Sequence, residues 1–217
     1  MKHRLVSVFA GLLLLTFAAF LGRSLPSYKM AKPDPYQQLI GRPLPDFTLT
    51  DQHGSPVTRE VMRGKVWVAN LMFASCSTVC LTLGKHLSAL DAKIQALPEV
   101  RIVSLSVTPE ADTPDVLRAY AQKWNASPQW LFLTGERAQI QKLATGGFCL
   151  SAGTDEVLTH SDKLVLIDRA GKVRGYFGGT DSRASEAVLT LLKTLLSEPF
   201  PQSPQTQTQS PEIEINR

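Results

Sequence analysis

Two cysteines four positions apart, Cys76-Ser77-Thr78-Val79-Cys80, stand where an apolar run gives way to a helical repeat. That junction limits the fold more than any other feature of the 217-residue chain. Residues 66–73 form an apolar run of strand length. Beyond the cysteines, Leu83, Leu87, Leu90, Ile94 and Leu97 recur at spacings of three and four, which places them on one buried helix face. Positions i and i+4 of a helical turn share a face. Cys76 and Cys80 are therefore expected at the rim of the core, on the face that runs into the stripe beginning at Leu83.

The rest of the chain repeats this alternation. Residues 47–50 and 57–58 flank Asp51-Gln52-His53-Gly54-Ser55, a hairpin signal. Residues 101–107 and 130–133 read as further buried strands, and 164–168 with 173–177 as a hairpin about Arg169-Ala170-Gly171-Lys172. Thr113 offers an N-cap and Pro114 a first helical position for a helix reaching about residue 124. Helices are also expected over 136–144 and 185–196. Strands that alternate with helices pair in parallel, and a closing hairpin adds antiparallel strands. The expected fold class is α/β: a thioredoxin-like mixed sheet flanked by helices, with one N-terminal transmembrane helix. Such a fold keeps its redox site at the strand-to-helix junction where the two cysteines lie.

The transmembrane expectation comes from the first residues. Residues 1–4 carry Lys2, His3 and Arg4, residues 5–22 are uncharged and apolar, and Arg23 closes the run. At 1.5 Å per residue such a helix spans about 27 Å, close to the thickness of a hydrocarbon core. A cleaved signal peptide is the competing reading, but a small-residue cleavage site is missing. Basic residues before the span favour a cytoplasmic N-terminus. The folded domain is then expected in the periplasm or an equivalent compartment, where thiols can be oxidised. Residues 23–45, with five prolines, read as an extended linker, 46–200 as the folded domain, and 201–217, rich in Gln, Pro, Ser and Thr, as a disordered tail.

Three cysteines are too few for a disulfide framework, so the pair is expected to be chemical rather than structural. The net charge of +4 comes from 23 basic and 19 acidic residues scattered along the chain, without the basic run and interleaved aromatics of a nucleic-acid binder. A helix N-terminus favours the thiolate over the thiol. Two soft thiolates suit Cu(I), and an added imidazole tolerates Cu(II). Zinc is a weaker fit, because two cysteines and one histidine fall short of a closed structural tetrahedron. A dithiol switch needs no metal. Of the four histidines, His3 precedes the span, His53 sits in a hairpin turn, and His86 follows Cys80 by more than a helical turn. His160, on the loop entering the 164–168 strand, is the remaining candidate ligand. Cys149 reads as a buried thiol whose loop leads towards His160.

Taken in order, several motifs are familiar: Gly64-Lys65-Val66 leading into the C-x-x-x-C pair, Thr108-Pro109-Glu110-Ala111-Asp112-Thr113-Pro114, and Thr159-His160-Ser161 before Leu166-Ile167-Asp168. Over residues 46–196 the chain resembles the Sco/SenC family of copper-binding, thioredoxin-like proteins that assist assembly of cytochrome c oxidase. The resemblance implies that Cys76, Cys80 and His160 are copper ligands and that the cysteines form a redox-active pair. It implies a membrane-anchored copper chaperone whose partner is the oxidase subunit carrying the binuclear copper site. A copper donor protein or a thioredoxin-like reductant is a further partner. Two positions depart from the family pattern. Ser77 and Leu81 stand where proline usually follows each cysteine, and Thr108 stands where the acidic motif usually begins with Asp, which leaves Asp112.

Three other readings stay open. The chain is a thiol-disulfide oxidoreductase acting on oxidase cysteines, or a binding module that only docks a partner. A peroxiredoxin-type peroxidase shares the 45–49 opening, but its cysteine follows a Thr three residues earlier, and neither Cys76 nor Cys80 does.

Overall fold

A computed structural model describes residues 35–150, 161–181 and 183–200. In chain order the strands are β1 (Thr48–Thr50), β2 (Pro56–Thr58), β3 (Val66–Met72), β4 (Val100–Ser106), β5 (Trp130–Leu133), β6 (Lys163–Ile167) and β7 (Val173–Gly178). The α-helices are α1 (Arg59–Met62), α2 (Val79–Ile94), α3 (Pro114–Lys123), α4 (Arg137–Gln141) and α5 (Ala184–Ser197). A π-helical turn, Lys142–Gly147, continues α4.

β3 is buried at every position, which marks it as a central strand covered on both faces. It pairs in parallel with β4, Val68 opposite Ile102, and antiparallel with β6, Val68 opposite Leu166. β5 and β7 close the edges, so the five-stranded order is β5-β4-β3-β6-β7. β1 and β2 form a separate antiparallel hairpin. The mixed sheet and its helices bear out the expected thioredoxin-like α/β architecture.

Alternate residues of β3 face opposite ways and define two apolar clusters. Val66, Val68 and Met72 join Leu83, Leu87, Leu90 and Ile94 of α2, Leu117 of α3, and Val188 and Leu192 of α5. Trp67, Ala69 and Leu71 join Phe47, Leu49, Ile140, Leu143 and Phe148 on the other face. Asn70 shares the first face and is satisfied there: Ser104 Oγ donates to its Oδ1 at 2.7 Å, and Trp130 Nε1 donates to Ser104 Oγ at 2.9 Å. A buried polar group so paired costs the core little.

Thr113 caps α3 by accepting from the Val116 amide, with Pro114 in the first turn, as its sequence requires. Asp168 builds the β6–β7 turn, where its Oδ1 accepts from the amides of Ala170 and Lys172. One expectation is corrected. Part of the proline-rich stretch assigned to a linker belongs to the folded unit: the Gly41 and Leu44 amides donate to the Val173 and Gly171 carbonyls, Val173 N donates back to Arg42, and Leu44 is buried. Tyr36 stacks on Tyr176 with ring centroids 4.4 Å apart. Prolines prevent a regular strand here, but the amides between them still complete the edge of β7.

No helix among the described residues is long and apolar enough to cross a membrane. The expected span 5–22, the cytoplasmic residues 1–4 and the tail 201–217 lie outside the described residues.

Candidate thiol and metal site

β3 ends at Met72, and the chain reaches α2 through residues 73–78. The Cys76 amide donates to the Phe73 carbonyl at 3.2 Å, closing a turn that carries Cys76, while Cys80 sits in the first turn of α2. The two cysteines are therefore not stacked on one helical face, as i,i+4 spacing alone suggested. Cys76 lies ahead of the helix and reaches back towards its N-terminus. Both are buried at the rim of the first apolar cluster, 6% and 3% exposed, and both are free thiols.

Thr78, the residue at the N-cap of α2, makes no side-chain cap. Its hydroxyl instead lies 3.9 Å from Cys76 Sγ. Sulfur thus occupies the place where a capping oxygen would normally meet the free amides of the first turn. Burial opposes ionisation of Cys76, but hydrogen bonds from the Cys80 thiol, the Thr78 and Cys80 backbone and the Thr78 hydroxyl outweigh it, so this thiol is held below its ordinary 9.0. Cys80 behaves oppositely: burial and the adjacent Cys76 sulfur push it up to about 12, against a smaller opposing contribution from the Phe73 backbone. The lowering that a helix N-terminus gives a thiol holds for Cys76 and not for Cys80, because desolvation and the adjacent Cys76 sulfur outweigh the backbone hydrogen bonds that Cys80 receives.

Leu81, where the family pattern has proline, donates its amide to the Thr78 carbonyl at 3.1 Å and closes the first turn of α2. Proline there would remove this bond. Thr108 and Asp112 meet: the Thr108 hydroxyl donates to Asp112 Oδ2 at 3.1 Å. Glu110 of the same motif turns outward and pairs with Arg137. Tyr120 reaches the site from α3. Burial raises its hydroxyl, the Trp124 indole opposes the rise, and Cys80, Cys76 and Asp112 reinforce it.

The histidines separate as their positions suggested. His53 is exposed in the β1–β2 turn. His86 is half-buried on α2 and hydrogen-bonds through Nδ1 to the Gly179 carbonyl at 2.8 Å. His160 lies outside the described residues. Among the described residues no three Cys, His, Asp or Glu side chains gather as a metal site. Cys149 follows the π-helical turn with a left-handed backbone, φ 51°, between Phe148 and Leu150 of the second apolar cluster. The acceptance by Asp112 of groups from two loops was not legible in the sequence, since one donor is a backbone amide 38 residues away.

The described residues thus present a thioredoxin-like mixed sheet with a C-x-x-x-C pair of free, buried thiols between its central strand and the helix that follows. The SCO1/SenC family model matches residues 37–196, and the chain belongs to that family. It is 32% identical over 155 residues to the SCO1 protein homolog of Bacillus subtilis, covering 68% of this chain and 80% of that one. Among solved structures, BsSco, described as having a disulfide switch and as a member of the Sco family of cytochrome c oxidase assembly proteins, is 28% identical. It superposes with a TM-score of 0.66 over 74% of this chain and 97% of its own. ScoI of Bradyrhizobium japonicum, solved with copper bound, is 26% identical with a TM-score of 0.59 over 71% and 99%.

Proposed function

We propose that this chain binds copper as cargo and assists assembly of the copper site of a respiratory cytochrome c oxidase. The observation that carries the reading is the pairing of two buried, free thiols at one helix N-terminus in a chain of the SCO1/SenC family. The donor set fits the metal: two adjacent sulfurs suit a soft monovalent ion, and a nitrogen ligand extends the site to Cu(II). Cys76 and Cys80 would hold copper as thiolates, with His160 as the third ligand. Family membership supports this assignment, as does the copper-bound relative. Copper in turn favours loss of the Cys80 proton, since a coordinating thiol is deprotonated by its metal.

The partner in this reading is the oxidase subunit with the binuclear copper site. Residues 5–22 anchor the domain to the membrane with residues 1–4 in the cytoplasm and residues beyond Arg23 on the periplasmic side. Titration of the reduced protein with copper, followed by absorption, tests the proposal. Stoichiometric uptake with a thiolate-to-Cu(II) charge-transfer band is expected, and no uptake by the reduced protein would overturn it.

A second reading is favoured by the opposite acidities of the two thiols. A more acidic, attacking Cys76 and a buried, resolving Cys80 are what thiol-disulfide exchange on oxidase cysteines requires. In that exchange the two protein thiols become one disulfide while a target disulfide becomes two thiols, or the reverse. A reduction potential too oxidising to reduce a target disulfide excludes the donor direction.

A further inference from the structure

Asp112 is 2% exposed, and among the described residues no basic side chain pairs with it. A carboxylate in that position must be compensated by hydrogen bonds. Its Oδ2 accepts three: from Ser106 Oγ at 2.6 Å, from Thr108 Oγ1 at 3.1 Å and from the Ala74 amide at 3.1 Å. The first two donors are the last residue of β4 and a residue of the segment that follows it, and the Asp112 amide itself donates to the Thr108 carbonyl. The carboxylate is therefore fixed within its own loop before it reaches any other. Among the described residues Ala74 is the one donor from outside this stretch, and it lies two residues ahead of Cys76.

Phe73, Ala74 and Cys76 of this turn pack on the first apolar cluster, and the Phe73 backbone hydrogen-bonds Cys80. Ser75, Ser77 and Thr78 are exposed. β3 and β4 stay paired as far as the Val107 amide on the Met72 carbonyl, and the next tie across the two loops is Ala74 to Asp112. After that tie the chain turns once, through Cys76 N to Phe73 O, and presents Cys76 to the first turn of α2.

We propose that Asp112 is a positioning residue: its acceptor oxygen clamps Ala74 and so holds Cys76 at the distance from Cys80 that disulfide closure and two-sulfur binding both require. This rests on the reading of Cys76 and Cys80 as the working pair. It assigns Asp112 a role through its hydrogen bonds rather than through its charge. It also accounts for Thr108. A threonine there donates to Asp112, whereas a carboxylate would set two acceptors against each other.

The full chain tests this in glutathione redox buffer. Oxidation of Cys76 and Cys80 to one disulfide reduces GSSG to two GSH, and the equilibrium ratio gives the effective concentration of one thiol at the other. Peptide mass analysis confines the count to Cys76 and Cys80. Asp112→Ala is expected to lower that concentration at least about tenfold, the scale on which small misplacements act. Asp112→Asn keeps an acceptor oxygen, loses the charge, and is expected to restore most of the wild-type value. In the wild-type protein the Ala74 amide is expected to exchange with solvent as slowly as the β4 amides. Equal effective concentrations in wild type and Asp112→Ala overturn the proposal. So does an Asp112→Asn protein no better than Asp112→Ala, or an Ala74 amide that exchanges at the free-peptide rate. If Asp112→Ala does not fold, the Asn variant and the Ala74 exchange rate decide. Failure of wild type to bind copper removes the metal reading alone, because none of these measurements uses copper.

Discussion

The Cys76 and Cys80 sulfurs share a hydrogen bond yet titrate in opposite directions, Cys76 below the ordinary thiol value of 9.0 and Cys80 up to about 12. The asymmetry follows from backbone placement. Cys76 precedes α2 and receives its first amides, whereas Cys80 is inside the helix with its side chain against the core.

Alkylation by iodoacetamide reads this difference directly. A thiol at about 12 rather than 9.0 carries roughly a thousandfold less thiolate at neutral pH. In the reduced wild-type protein, with labelled peptides separated by mass, Cys76 is expected to react at pH 7 with an initial rate at least about 100-fold above that of Cys80. Equal rates would contradict the assignment of Cys76 as the attacking thiol.

The same placement gives a pH dependence of stability with a definite sign. Above 9.0 the unfolded chain loses the Cys80 proton while the folded protein keeps it up to about 12. The folded state then binds more protons, so stability falls as pH rises through this window. Reduced wild-type protein is expected to lose Tm between pH 9 and pH 11 more steeply than Cys80→Ser. Parallel curves would show that Cys80 is not raised.

Much of this arrangement was legible in the sequence because it depends on local pattern. The apolar run ending at Met72, the stripe from Leu83 to Ile94 and the Thr113-Pro114 start of α3 each state a period or a cap within a few residues. What escaped depends on groups with no sequence signature. The docking of residues 36–45 runs through backbone amides beside prolines, and the proline count pointed to an unpacked linker. The Asp112 clasp uses the Ala74 amide, a donor every residue but proline carries. The difference in acidity between Cys76 and Cys80 has no sequence signature either, because spacing shows the shared turn but not how strongly each sulfur is desolvated.

Gly84 lies one helical turn beyond Cys80, and the Trp124 indole fills the space a side chain would need. A Cβ on Gly84 would come within 2.4 Å of Trp124 Cζ2 and 2.7 Å of Cε2 and Cη2. Alanine in a helix interior normally gains about 1 kcal/mol over glycine. Overpacking costs about 1–3 kcal/mol, and here it outweighs that gain. Gly84→Ala is expected to lower stability by about 1 kcal/mol or more in urea unfolding, with Trp124 fluorescence altered. A stabilised variant would mean that Trp124 does not pack across α2.

His160 and Cys149 separate by a copper measurement on the reduced protein. The backbone after His160 is anchored to the turn beyond β7, where the Gly179 amide donates to the Asp162 carbonyl at 2.7 Å. Gly179 is itself closely fitted, since a Cβ there would lie 2.8 Å from that carbonyl and 2.3 Å from Leu83 Cδ1. Leu83 belongs to α2, one turn from Cys80, so Asp162 lies beside the helix that carries Cys80. Cys149 instead has neighbours in the second apolar cluster, and its electrostatic influence falls on Tyr176. His160→Ala is expected to weaken copper binding by about 10- to 100-fold and to shift the thiolate-to-Cu(II) band. Cys76→Ser is expected to abolish that band, and Cys149→Ser to leave affinity and band unchanged. A His160→Ala protein with wild-type affinity and spectrum would remove His160 from the site. A Cys149→Ser protein with weakened binding would bring the third thiol into it.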